Sequence, residues 1–247
     1  MKNGIARLGL LCPIGGGEYE YHAFAEAVDY RVRPYMVVAP HAGGDDDHDP
    51  EALKKTGDIA TLERTAQALV PLKPDVGVWA CTSGSFILGR DYAERQLDGI
   101  AKVLGVPATS TSVAFARAAA HLAVKRVAVL ASYPEPAARA FVAFLKEFGL
   151  DVVRLEWLDA RGGRDAFLMP LDTFAKAARK TNGPDIDAIL MPDTAVAAFA
   201  LIEPLEEKLK KPFLTANQVT VWDALRLAGW REPVPGYGRL FHSFRSA

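Results

Sequence analysis

Only two cysteines, Cys12 and Cys81, occur in 247 residues. No C-x-x-C pair and no Cys/His pair at zinc spacing is present, which removes the usual zinc frameworks. A disulfide between the two is left open by the sequence, although paired thiols in a cytoplasmic chain, the expected location, stay reduced as a rule. Charge of either sign is also scarce in excess: the formal net charge is −1, with no basic stripe or polyanionic tail. Nucleic acid is therefore not an expected partner. Long apolar runs are missing too, and none approaches the roughly 20 residues a membrane span needs. The short apolar stretch that ends at Cys12-Pro13 lacks the length and cleavage site of a signal peptide. The glycine triplet Gly15-Gly16-Gly17 is not followed by Lys-Ser or Lys-Thr, so it is no P-loop and reads as a permissive turn.

What the chain does contain is apolar residues, half of the total, in short runs that alternate with helical patterns. Strands are expected at Arg7–Cys12, Tyr35–Ala39, the run after Pro74, Pro107–Thr109, Arg126–Ala131, Asp151–Trp157, Asp187–Met191 and Phe213–Thr215. Between them lie expected helices, among them a long one from Pro50 to about Leu72 and one from Thr194 to about Lys210. Arg161 to Arg164 reads as a basic, glycine-containing loop. Strands alternating with helices of 10–15 residues build parallel βαβ units.

The alternation repeats. Asp75 opens a strand ending in Cys81-Thr82, and Asp187, at an offset of 112, opens one ending in Asp193-Thr194. A-R-L-G-L-L-C-P pairs with R-V-A-V-L-A-S-Y-P at an offset of 119, and V-P-A-T-S-T-S with K-P-F-L-T-A-N at 105. Three matches in the same order predict an α/β protein of two pseudo-symmetric lobes, each a small parallel sheet flanked by helices. The first lobe is expected to hold residues 1–113 plus 217–247, the second residues 114–216. Ligands of open parallel sheets bind beyond the carboxyl ends of strands, so the site is expected in the cleft between the lobes. Cys81, Thr82 and Ser83 would there face Asp193 and Thr194.

Cys81 leads into Thr82, Ser83, Gly84 and Ser85 at a strand end just before a helix. Free N–H groups and the helix dipole favour an anion at such a place and make a thiol reactive. A thiol and a carboxylate on opposite walls, with hydroxyls around them, suit proton transfer at a carbon beside a carboxylate. Asp193 reads equally as the N-cap of the apolar helix after it, and Tyr133 as a strand terminator. The loop His41 to Asp49 holds two histidines among its aspartates, but nothing fixes their geometry, and it reads as a solvated loop rather than a metal site.

The duplicated halves, W-A-C-T-S-G-S-F, V-L-A-S-Y-P, T-A-N-Q-V-T-V-W-D-A-L-R-L-A-G and V-P-G-Y-G-R-L-F together resemble the maleate isomerase/arylmalonate decarboxylase family, within the aspartate/glutamate racemase superfamily. The resemblance spans nearly the whole chain and is weakest from Ile14 to Asp49. It implies a cofactor-free, metal-free enzyme acting on a small mono- or dicarboxylate. Cys81 then falls on the first-lobe thiol that adds to the substrate double bond in the isomerases. Thr82, Ser83 and Tyr133 fall on groups that bind a substrate carboxylate, with Thr194 beside them and Pro13, Ile14 and Gly15 lining the pocket. Asp193 stands where a second cysteine is expected, which disfavours racemisation by two thiols. A cis–trans isomerase is thus the expected activity. An arylmalonate-type decarboxylase with Cys81 as proton donor is the alternative, and a non-catalytic carboxylate-binding protein a third reading. The sequence leaves a homo-oligomer open.

Overall fold

The carboxyl ends of two parallel sheets meet in this molecule, a computed structural model that describes residues 4–13, 15–40 and 47–244. The first sheet contains β1 (Ala6–Cys12), β2 (Val32–Val38), β3 (Val76–Trp79) and β4 (Ala108–Ser110), in the order β2-β1-β3-β4. The second contains β5 (Arg126–Ala131), β6 (Asp151–Trp157), β7 (Ala188–Met191) and β8 (Phe213–Thr215), in the order β6-β5-β7-β8. The two orders are the same when each half is numbered from its own first strand. All neighbouring strands are parallel. The two-lobed α/β architecture expected from the repeats is the one observed.

The repeated aspartates have a shared structural task. The Asp75 carboxylate accepts from the Arg7 backbone N–H at 2.9 Å and from its guanidinium, fixing where β1 starts beside β3. Asp187 accepts from the backbone N–H groups of Arg126 and Lys125 at 2.8 and 3.0 Å, doing the same for β5 beside β7. Hydrogen bonds to the charged form hold both carboxyls below their ordinary range, burial opposing them more at Asp75.

Helices α1 (Tyr19–Ala27), α2 (Pro50–Thr56), α3 (Ile59–Ala66), α4 (Ser83–Phe86), α5 (Arg90–Leu104) and α6 (Thr111–His121) accompany the first four strands. The later ones are α7 (Glu135–Glu147), α8 (Gly163–Leu168), α9 (Leu171–Thr181), α10 (Phe199–Leu209), α11 (Ala216–Ala228) and α12 (Gly238–His242). The single helix expected from Pro50 to Leu72 is three pieces. Gly57 breaks it where a side chain would strike the Gly84 carbonyl, Asp58 caps α3 by accepting from the Thr61 N–H, and a 3₁₀ turn over Gln67–Leu72 contains Pro71. Strand β2 begins at Val32, earlier than expected, and includes Pro34. An edge strand tolerates proline because no inner neighbour needs its N–H. The loop expected at Arg161–Arg164 gives way to α8 at Gly163.

One apolar core spans both halves. Phe86 on α4 packs against Tyr133, beyond β5, and against Phe141 on α7, which also meets Phe115 on α6. These rings are essentially inaccessible to water and form a continuous aromatic seam between the halves.

A buried polar group joins the two halves at a separate place. Glu20 on α1 accepts from the Phe199 backbone N–H at 2.6 Å and from Asn217 Nδ2 at 2.9 Å. Tyr21 donates to Asn217 Oδ1, and Asn217 Nδ2 also lies 3.2 Å from the Thr194 carbonyl. Glu20 therefore supplies the cap that α10 lacks in its own sequence. Asp193 does not cap this helix, contrary to the capping alternative, because α10 starts only at Phe199. Burial pushes the Glu20 carboxyl up to about 7, against hydrogen bonds that pull it down. Its folded-state value exceeds the ordinary 4.5, so its contribution to stability is full below pH 4.5 and is lost as pH rises through 7. The loss is on the order of 3 kcal/mol between those limits. The urea midpoint should fall between pH 5 and pH 8, and Glu20→Gln should flatten that slope; an unchanged slope in the variant would remove Glu20 as its source.

Candidate active site

Cys81 and Asp193 each stand two residues beyond the end of a central strand, β3 and β7, and line one small cavity between the lobes. Pro13, Gly15, Ser83 and Thr194 line it as well, together with His48 and Gly163. Its volume is about 20 Å³, room for about one water. A wider vestibule of about 610 Å³ lies outside, lined by Pro134, Pro136, Arg161 and Arg164 among others, and His48 borders both spaces. Ile14, and residues 41–46 of the aspartate-rich loop, lie outside the described residues. Among the described residues, no three His, Cys, Asp or Glu side chains converge closely enough to hold a metal ion.

The Cys81 loop is held from beneath. Ser85 Oγ lies 2.7 Å from the Cys81 carbonyl and 2.8 Å from Ser112 Oγ, and Ser112 Oγ donates to the Thr82 carbonyl. Gln96 donates to the Gly84 and Gly57 carbonyls at 2.8 and 2.7 Å. Ser85 thus serves the backbone, not an anion. The Gly84 N–H points at Cys81 Sγ at 3.3 Å, and Ser83 Oγ is 3.8 Å away. A β-carbon on Gly84 would sit 3.2 Å from the sulfur and 2.9 Å from the Trp79 ring, so glycine lets the amide reach it. An N–H donor at a turn is the kind of partner a thiolate uses.

Thr82 and Tyr133 sit behind the cavity wall. Thr82 Oγ1 accepts from the Asp193 N–H at 3.2 Å, which ties the two lobes together at the site. Burial, then Asp193 and Cys81, push the Tyr133 hydroxyl well above its ordinary range, despite hydrogen bonds with Thr82 and Ser83. Tyr133 is therefore a neutral donor at any working pH.

Asp193 has φ +96, a region seldom used by residues other than glycine. Its Oδ1 accepts from the Ala195 N–H at 3.0 Å and its Oδ2 from Ser132 Oγ at 2.5 Å. The glycine triplet is where the lobes touch. A β-carbon on Gly16 would overlap the Phe167 ring, one on Gly17 would stand 2.2 Å from the Thr194 carbonyl oxygen, and one on Gly15 3.0 Å from Ala195 Cβ. The Gly15 and Gly16 N–H groups are taken by the Glu18 carboxylate at 2.6 and 2.8 Å. The triplet is thus more than a permissive turn.

Cys12 is buried, and no disulfide links it to Cys81. Desolvation, then Glu18 and Cys81, push its thiol far above the ordinary range. His48 escaped the sequence reading because a Gly/Asp-rich loop signals solvent exposure, whereas only 4% of it is exposed. Its Nδ1 lies 2.9 Å from the Ala160 carbonyl, its Nε2 3.9 Å from Asp193 Oδ2, and its ring meets the Tyr133 ring edge-on.

A two-lobed parallel α/β protein with reactive groups at facing strand ends is thus defined by the fold and the cavity. Residues 54–241 match the family model described as arylmalonate decarboxylase, and the chain belongs to that family. The arylmalonate decarboxylase of Bordetella bronchiseptica is 29% identical over 171 residues, covering 65% of this chain and 68% of that protein. The maleate isomerase of Alcaligenes faecalis is 23% identical over 197 residues, covering 77% of each. In structure, a mutant of the Nocardia farcinica maleate cis–trans isomerase with a covalently bound succinylcysteine intermediate superposes with a TM-score of 0.88. That pair is 23% identical and covers 96% of this chain and 98% of the other.

Proposed function

We propose that the protein is a cofactor-independent cis–trans isomerase of a small unsaturated dicarboxylate, with Cys81 as nucleophile. The observation that carries this reading is the position of the Cys81 sulfur, on the first-lobe wall of the cavity with a backbone N–H aimed at it. The succinylcysteine adduct of the Nocardia farcinica relative shows that cysteine addition to a four-carbon acid occurs within this fold. Addition of the thiolate to one alkene carbon moves the π pair onto the next carbon and its carboxylate, as an enediolate. The Ser83 hydroxyl lines the cavity and is the donor for that charge, backed by the neutral hydroxyls of Thr82 and Tyr133 behind the wall. With the double bond gone, the central bond turns; elimination restores the alkene in the other geometry and returns the thiolate. A cavity with room for one water is too small for such an acid, so the seam between His48 and Gly162-Gly163 must part to admit it from the vestibule.

The decarboxylase reading is favoured by one observation: the second-lobe position carries Asp193 and not a thiol, and decarboxylation needs only one proton donor. Incubation in deuterated water with maleate, phenylmalonate or aspartate, followed by proton NMR, separates the readings. Fumarate is the expected product. An α-deuterated monoacid from phenylmalonate would replace the isomerase by the decarboxylase, and exchange on aspartate would restore the racemase. Binding without turnover of any of them would leave a carboxylate-binding protein.

A further inference from the structure

We propose that His48 is the proton carrier facing Cys81, with Asp193 holding its cationic form, so that an imidazole and a carboxylate take the place of the second thiol. The inference rests on the isomerase reading above.

His48 is placed too firmly for a loop residue. Its backbone N–H donates to the Arg161 carbonyl at 2.8 Å and its Nδ1 lies 2.9 Å from the Ala160 carbonyl. A carbonyl only accepts, so Nδ1 carries the hydrogen and the lone pair of the neutral ring resides on Nε2. That nitrogen points toward Asp193 Oδ2, 3.9 Å away, and the residue forms part of the same cavity wall as Cys81. Both carboxylate oxygens of Asp193 already accept hydrogen bonds, from Ser132 and from the Ala195 N–H. Such a group serves better as a fixed counter-charge than as a proton donor. A base anchored at one nitrogen by a third group, here the Ala160 carbonyl, with its other nitrogen turned toward the cavity, is the arrangement used to activate nucleophiles.

The protons balance. Neutral His48 Nε2 takes the Cys81 Sγ–H, leaving a thiolate and an imidazolium beside Asp193. The thiolate forms the S–C bond, and the carbanion carbon of the resulting enediolate takes the Nε2 proton, which gives a saturated adduct and neutral imidazole. After rotation, Nε2 removes a proton from that carbon, the C–S bond breaks, and thiolate and imidazolium are regenerated. Among the described residues, the charged or titratable groups around His48 are Asp193, Cys81 and Tyr133 on the inner side. Toward the vestibule they are Asp47 and Asp49 on its own loop and Arg161, Arg164 and Asp165 opposite.

His48→Asn is the informative variant, because an asparagine amide can keep the bond to the Ala160 carbonyl while lacking Nε2. It should lower kcat by about 10²- to 10⁴-fold with little change in KM. A second readout needs no substrate: alkylation of Cys81 by iodoacetamide, followed by mass spectrometry against pH. The full-length wild type should show an inflection in rate against pH that the variant lacks. A variant that keeps both the wild-type kcat and the inflection overturns the proposal and leaves the isomerase reading in place. If the wild type turns over no acid but the inflection depends on His48, the isomerase reading falls and the pairing of His48 with Cys81 stands. Should the asparagine variant not fold, judged by circular dichroism, His48→Gln is held to the same two measurements.

Discussion

Cys81→Ala abolishes turnover of whichever acid the wild type converts, by about 10³-fold or more. The other cysteine, Cys12, cannot take over its role. Cys12 is buried and burial holds it as a thiol, so Cys12→Ser should leave the rate unchanged. Cys81→Ser should be nearly as inactive as alanine, because a hydroxyl is a far weaker nucleophile than a thiolate. The fold should survive, since Ser85, Ser112 and Gln96 hold the loop backbone besides the Gly84 N–H bond to the sulfur. Steady-state rates, with circular dichroism as the check on folding, decide the matter. An alanine variant that retains more than a tenth of the wild-type rate would remove Cys81 from the chemistry altogether.

The second large effect is expected away from any reactive group. Gly17→Ala should both destabilise the protein, by about 1–3 kcal/mol, and depress activity well beyond what the stability loss explains. A β-carbon there stands 2.2 Å from the Thr194 carbonyl oxygen and 2.9 Å from that of Ala195, both backbone atoms of the opposite lobe. Backbone cannot swing aside as a flexible side chain does, so the Asp193–Ala195 turn must move. That turn carries the Asp193 N–H bonded to Thr82, which ties the two walls together, and the Asp193 carboxylate that Ser132 holds in place within the second lobe. Gly15→Ala meets the Ala195 methyl at 3.0 Å and its Cα at 3.4 Å, looser contacts, and should be milder. Urea midpoints and kcat for the two variants test the ordering. If Gly17→Ala matches the wild type in both, the seam is looser than its geometry implies.

Much of the fold was legible because its signals are local and repeated. Alternation of short apolar runs with helical patterns marked the parallel units, and the matched segments around Asp75 and Asp187 announced a duplication. The two sheets do share one strand order. Helix boundaries were less legible where the cause lay far along the chain. Gly57 ends α2 because Gly84 and Gln96 occupy the space its side chain would need. Glu20 caps α10 from another lobe, so no residue near Phe199 announces the start of that helix.

Of the site, the sequence by itself determined the residue types at the strand ends: a thiol at 81, a carboxylate at 193, hydroxyls at 82, 83 and 133. A turn at a strand end is a short-range feature, and resemblance supplied the roles expected there. Only the tertiary structure decided which of these groups share a cavity and which lie behind it. It put Ser85 under the backbone, Thr82 and Tyr133 behind the wall, and His48 beside Asp193. The physical reason is that burial and hydrogen-bond partnership are set by atoms arriving from distant parts of the chain. An aspartate-rich loop looks solvated until the Ala160 carbonyl and the Tyr133 ring close over His48.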